Sequence, residues 1–420
     1  MAARKHKKEA AEGGPAIFDH FMYPGAPAEV VKAYTAHMGA MKYTKLSAVR
    51  AQFTRRMREF FGLEAKYRVW STGGGTEAAT FVVEMCARMF AKHTGKLPHV
   101  VYSRYGVREV ERACRRLSAE KLTLFSEVID NIGSPEIRLE VMKQIRATTC
   151  LVAFPAIDSD TGVLADVRAI RSACTDKRVP LMLDVTLLIG QSRVNNELLK
   201  ADVLVADFGC IGCPGCGMIA ISPDLVTGFG LPAPYPAPPA ALAGAIEIAG
   251  MLDSTREARH DATIRMRTDI VRLLGEAGAL VSMKRWHRGD RGSAMYLVYP
   301  PAIDDPRYLP GILLIAVRRW TFTAARRWLS ARGVEVGVPT RYRSPQELSR
   351  HMIRVTIGPY TTKKNVAALV GRLLELAATD PAADEEERAM RLNDGRDETP
   401  NVIGNLVGSL LEDYDPRQDE

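Results

Sequence analysis

Three consecutive glycines at the end of a short apolar strand constrain this chain more than any other feature. Residues 67–71 read as a strand, Gly73, Gly74 and Gly75 as a tight turn, and residues 76–92 as a helix. A strand that passes through glycine directly into a helix opens a strand–helix–strand unit. The pattern then recurs. Residues 99–103, 150–154, 180–184 and 203–207 are short and apolar, and residues 104–117 and 167–175 carry helical spacing. Short buried strands alternating with helices predict a mainly parallel α/β sheet covered on both faces. After a proline-rich stretch (230–239), a long helical pattern over 241–277 leads to strands near 294–299 and 353–357 and helices over 324–332 and 364–377. The expected organisation is a basic arm over 1–15, a large α/β domain over 16–255, a smaller α+β domain with its connecting helix over 256–378, and a charged tail over 379–420.

Composition narrows the classes. At 420 residues with 46% hydrophobic and 25% charged residues, the chain has the balance of a soluble globular protein of two or three domains. No apolar run reaches the ~18 residues of a membrane span. The apolar stretches at 309–317 and 240–252 are too short or carry Glu247. The basic N-terminus lacks the apolar core of a secretory signal, so a soluble, cytoplasmic protein is expected. Seven cysteines are too sparse for a disulfide framework, and an odd count leaves at least one unpaired. The formal charge of +8 arises from 57 basic and 49 acidic residues, and arginine outnumbers lysine 41 to 16.

Four places carry chemistry. In Ser71-Thr72-Gly73-Gly74-Gly75-Thr76-Glu77-Ala78, unpaired N–H groups meet the positive end of a helix, which suits an anion. A plain strand-to-helix turn is equally open. Asp184 ends an apolar strand, where open α/β sheets bind ligands in the crevice beyond the strand ends; a loop or cap carboxylate is the competing reading. Cys210, Cys213 and Cys216 form a Cys-x2-Cys-x2-Cys turn that resembles part of a zinc or iron–sulfur site. Small cysteines filling a crowded glycine-rich turn are the plainer reading. Lastly, residues 318–332 combine five arginines with Trp320 and Trp328. This suits a nucleic-acid backbone, or an amphipathic helix with its basic face in water.

The order of these motifs resembles the fold-type I pyridoxal-phosphate enzymes, and within them the class V aminotransferase and cysteine desulfurase (NifS-like) family. The resemblance runs from about Phe18 to Leu376. It implies that Gly74, Gly75 and Thr76 belong to the cofactor-phosphate turn and that Asp184 faces the pyridinium nitrogen. It also implies that Arg354, in Ile353-Arg354-Val355-Thr356, holds a substrate carboxylate, although a nearby protein carboxylate would pair with it equally well. A homodimer is implied because the family builds its cleft between subunits.

The departures set the functional expectation. Cys210 occupies the Schiff-base lysine position, and between Ala201 and Thr362 the only lysine is Lys284. Val107 stands at the ring-stacking histidine, and Leu187 stands where a glutamine bonds the phenolic oxygen. The catalytic-cysteine loop falls on residues 337–342, which contain no cysteine, and the proline-rich stretch over 232–239 replaces an Arg- and Gly-rich segment. A thiol cannot supply the conjugated imine this chemistry needs. The chain therefore reads as a NifS-like protein degenerate for pyridoxal-phosphate catalysis, with a binding or scaffolding role. No covalent cofactor is expected, and pyridoxal phosphate or another phosphorylated or carboxylated small molecule would bind at most non-covalently. The alternative is changed chemistry at Cys210, Cys213 and Cys216, using a metal, an iron–sulfur cluster or a persulfide. A basic nucleic-acid-associated protein is the second alternative.

Overall fold

The computed structural model describes residues 16–18, 27–38, 43–106, 108–128, 132–192, 195–229, 233–288, 294–339 and 350–381. Residues Met1–Ala377 form one compact unit and Ala378–Glu420 another. The expected arm over 1–15 and nearly all of the tail lie outside the described residues, as does Val107.

The first unit is built on a seven-stranded sheet in the order β2-β8-β7-β6-β5-β3-β4. Its strands are β2 (Arg68–Thr72), β3 (His99–Ser103), β4 (Leu124–Val128), β5 (Thr149–Pro155), β6 (Leu181–Asp184), β7 (Val203–Asp207) and β8 (Gly217–Ile221). β4, β3, β5, β6 and β7 run parallel, and β8 lies antiparallel between β7 and β2. The sheet is thus mainly parallel, as the alternation of strands and helices predicts. The inner strands β5, β6 and β8 are buried along their whole length and mostly apolar because both faces are covered. One face packs on the helix Gly75–Thr94, here α1, and the helix Arg108–Ala119, α2, through Val82, Val83, Cys86, Cys114 and Leu117. His99 is buried between β3, β4 and β5. Its ring nitrogens meet Thr149 Oγ1 at 2.8 Å and Ser126 Oγ at 2.9 Å, and burial lowers its pKa to about 4.

A second sheet, β13-β11-β10-β9, joins Leu280–Val281 (β9), Met295–Tyr299 (β10), Ile312–Val317 (β11) and Met352–Thr356 (β13). The apolar run near 309–317 is explained here: β11 is an interior strand with neighbours on both edges and apolar packing on both faces. Two features differ from the sequence reading. The first strand, Ala16–Phe18 (β1), pairs with Val334–Val336 (β12), so Ala16 joins the core of the C-terminal half. The long helical pattern is two helices, Pro239–Ser254 (α3) and Arg256–Glu276 (α4), broken at Thr255. Ser254 Oγ and Thr255 Oγ1 both donate to Met251 O, at 3.0 and 2.8 Å. Such side-chain bonds compete with the helix ladder. Among the described residues no helix is long and apolar enough to cross a membrane.

Candidate functional site

Strand register assembles the site. Thr72 of β2 pairs with Gly217 of β8, which pairs with Asp207 of β7, and Asp184 of β6 pairs with Val205. The glycine turn, Asp207 and Asp184 therefore share one end of the sheet, the place where α/β folds bind ligands. Gly217 lets the turn lie this close. A Cβ there would stand 2.4 Å from the carbonyl carbon and oxygen of Gly74 and 2.5 Å from Thr72 Oγ1.

The glycine turn is met by carboxylates of the chain itself. The Gly75 N–H donates to Asp207 Oδ2 at 2.9 Å, and the Gly209 N–H donates to Asp207 Oδ1 at 2.6 Å. The Gly73 N–H donates to Glu77 Oε2 at 2.7 Å. A Cβ at Gly75 would come within 2.6 Å of Asp207 Cβ, so this glycine is what admits the side chain. Asp207 is anchored through its backbone as well: its N–H donates to Thr186 Oγ1 at 3.0 Å, and Cys210 Sγ donates to its carbonyl at 3.2 Å. Thr76, at the helix start, is exposed.

Asp184 is buried at the end of β6 and accepts from the Thr186 N–H at 2.9 Å. Burial pushes its pKa up to about 6, against the pull of the Thr186 hydrogen bonds. Leu187 follows on the 3-10 turn Thr186–Leu188 and is half-buried.

The three cysteines of the turn after β7 separate rather than converge. Cys210, half-buried, bonds to Asp207 O; Cys213 Sγ donates to Ala241 O at 3.3 Å; Cys216 Sγ lies 3.8 Å from Gly217 O. Among the described residues no group of three or more His, Cys, Asp or Glu side chains could hold a metal. Burial raises all three thiol pKa values, that of Cys213 to about 12, and the carboxylates of Asp207 and Asp184 push Cys210 further up. These thiols are protonated at neutral pH, the opposite of what a metal ligand or thiolate nucleophile needs. The sequence motif carries the right spacing, but its middle sulfur packs into the core against α3. A Cβ at Gly244 would come within 2.9 Å of Cys213 Sγ.

Arg354 lies on β13, fully buried. Its Nη1 donates to Asp160 Oδ1 at 2.9 Å and to Val338 O at 3.1 Å, and Asp160 is only 1% exposed. Of the two readings open for this arginine, the internal carboxylate is the partner present. Asp160 comes from the turn Asp158-Ser159-Asp160-Thr161-Gly162. There Asp158 accepts from the Asp160 N–H at 2.9 Å and from Thr161 Oγ1, and burial lifts its pKa to about 6.

Sequence reasoning missed Asp207 and Asp160 as the residues that organise the site. Asp207 ends an apolar strand just as Asp184 does, and that signal could have found it. The arginine-rich stretch does not present its aromatics: Trp320 and Trp328 are buried in the core, while Arg332 stacks on Trp328 at 3.8 Å.

Together the mainly parallel sheet, the glycine turn opening a helix and the carboxylate at the strand end define a fold-type I transferase-like α/β protein. Residues 26–230 match the family described as aminotransferase class-V. A cysteine desulfurase IscS of Aeromonas hydrophila is 26% identical over 151 residues, covering 36% of each chain. One from Ruthia magnifica is 24% identical over 150 residues, again 36% of each. The chain thus spans about a third of the length of these curated relatives. In three dimensions the fold is similar to a NifS-like protein, with a TM-score of 0.70 at 14% identity, covering 87% of this chain and 99% of the other. An apo cysteine desulfurase from Thermococcus onnurineus NA1 gives 0.69 at 14% identity, over 87% and 95%.

Proposed function

We propose that this chain is a NifS-like protein that does not run lysine-dependent pyridoxal-phosphate chemistry and instead binds or scaffolds, as a cytoplasmic homodimer. The observation that carries the reading is the turn after β7. There Cys210 stands at the end of the crevice beside Asp207, and Lys284, the only lysine from Ala201 to Thr362, is exposed on the helix Met283–Arg288 of the C-terminal half. The family's chemistry requires an amine at this place to join the cofactor aldehyde and pass a proton. A protonated thiol offers neither function. Arg354 adds support, since the group that would receive a substrate carboxylate already holds Asp160.

The test is covalent capture. The purified full-length protein is mixed with pyridoxal phosphate, reduced with borohydride, digested and read by mass spectrometry. No lysine lining the crevice is expected to carry the cofactor. A stoichiometric adduct on one lysine there would overturn the reading. The homodimer is tested by sedimentation, with a monomer at micromolar concentration as the contrary result.

A further inference from the structure

We propose that Asp207 is a built-in anion that fills the phosphate cradle of the crevice, so that the chain rejects phosphorylated small molecules, pyridoxal phosphate among them. A strand–glycine–helix turn binds phosphate because its backbone N–H groups and the helix end point positive charge at one spot. In this chain that charge is already answered. One oxygen of Asp207 takes the Gly75 N–H at the helix start, and the other takes the Gly209 N–H on the next turn. Both bonds come from backbone amides, and among the described residues no side-chain cation pairs with the carboxylate.

The fit is built from several directions. Gly75 lacks the Cβ that would strike Asp207 at 2.6 Å, and Gly217 lacks the one that would push the turn away from β8. The Asp207 backbone is tied to Thr186 and Cys210 on either side, so the carboxylate cannot swing aside without giving up the two N–H bonds. Glu77 holds the neighbouring Gly73 N–H. A phosphate placed on this turn would lie within hydrogen-bond range of a fixed carboxylate, and like charges at that separation repel strongly. The residues present therefore do not fit the phosphate of pyridoxal phosphate. The glycines of the turn, which look like the mark of a phosphate site, serve here to admit the chain's own acid.

This deepens the proposed function, and the two fail separately. Borohydride capture asks whether an amine reaches the aldehyde; the present question is what the phosphate contributes to binding. Equilibrium dialysis of the full-length protein with pyridoxal phosphate and with pyridoxal, which lacks the phosphate, gives a ratio of dissociation constants. With the ratio taken as the dissociation constant of pyridoxal over that of pyridoxal phosphate, the wild type is expected at one or below. For Asp207→Asn, which keeps the shape and removes the charge, and for Asp207→Ser, pyridoxal phosphate should bind about tenfold or more tighter than pyridoxal. Inorganic phosphate should compete with it in the variants only. Circular dichroism reports whether each variant is folded. A wild-type ratio of ten or more overturns the proposal even if both variants fail to fold. Folded variants whose ratio stays at one, or that bind neither compound, overturn it as well.

Discussion

Two places in this molecule, the glycine turn at the end of the large sheet and Arg354 on β13, are each closed by an acid of the chain. On the large sheet, Asp207 answers the glycine turn through neutral backbone amides and stays partly in reach of water. On β13, Arg354 and Asp160 answer each other as a full ion pair with no exposure. The contrast lies in what each leaves behind when broken. Losing Asp207 removes the acceptor of two neutral N–H groups, those of half-buried Gly75 and buried Gly209. Losing Asp160 removes one half of an ion pair buried in the core, which is far more costly. The crevice is thus the adjustable region and the ion pair the rigid one.

The largest expected effect follows directly. Asp160→Ala should destabilise the fold by about 3–5 kcal/mol in urea unfolding, the usual result of breaking a buried pair. The joint replacement Arg354→Met with Asp160→Leu should recover most of that loss. A single variant costing under about 1 kcal/mol would place the pair in the surface class and dissolve the contrast. Asp207→Asn comes next, at about 1 kcal/mol, because it weakens bonds to two amides without leaving a buried charge.

The pH dependence sharpens the comparison, since each region holds one buried carboxyl pushed up to about 6: Asp184 beside Asp207, and Asp158 beneath Asp160. Their folded pKa values exceed the unfolded carboxylate value, so the stability they contribute is full below about pH 4 and fades as pH rises through about 6. His99 works the other way. Its folded value of about 4 lies below that of a free imidazole, so its contribution is present above about pH 6.5 and is lost as pH falls toward 4. Denaturant midpoints measured from pH 4 to 7 should therefore show opposed changes. Asp184→Asn or Asp158→Asn should flatten the loss with rising pH, and His99→Gln should steepen it. Identical profiles in all three variants would remove this account.

The smallest effect concerns the cysteines. Because burial keeps Cys210, Cys213 and Cys216 protonated, native protein at pH 7.5 should react with a thiol reagent only as fast as it opens, and all three should react promptly in denaturant. Cys213→Ser, which retains a donor toward Ala241 O, should cost about 1 kcal/mol or less.

Much of the fold was legible because it is written in local chemistry. Apolar strands, glycine before a helix and helical spacing all act within a few residues, and they placed five of the seven strands of the large sheet, though not β4 or β8, and several of the helices that cover it. The first strand was not legible, because three residues, Ala16–Phe18, pair with a segment more than 300 positions away. The break at Thr255 was hidden inside a continuous helical pattern, since the choice between a hydroxyl bond and a ladder bond is a matter of geometry. At the site, the turn and Asp184 could be read as parts; what they bond to could not.

Local sequence alone decided that a glycine turn, an acid and a thiol would meet at the strand ends, because strand and helix periods dictate which residues arrive at that edge. Whether the turn would greet a ligand or an acid of the same chain was left to β2, β8 and β7 lying in register. Hydrogen bonds have a reach of about 3 Å, and only the packed chain brings residues 132 positions apart within it.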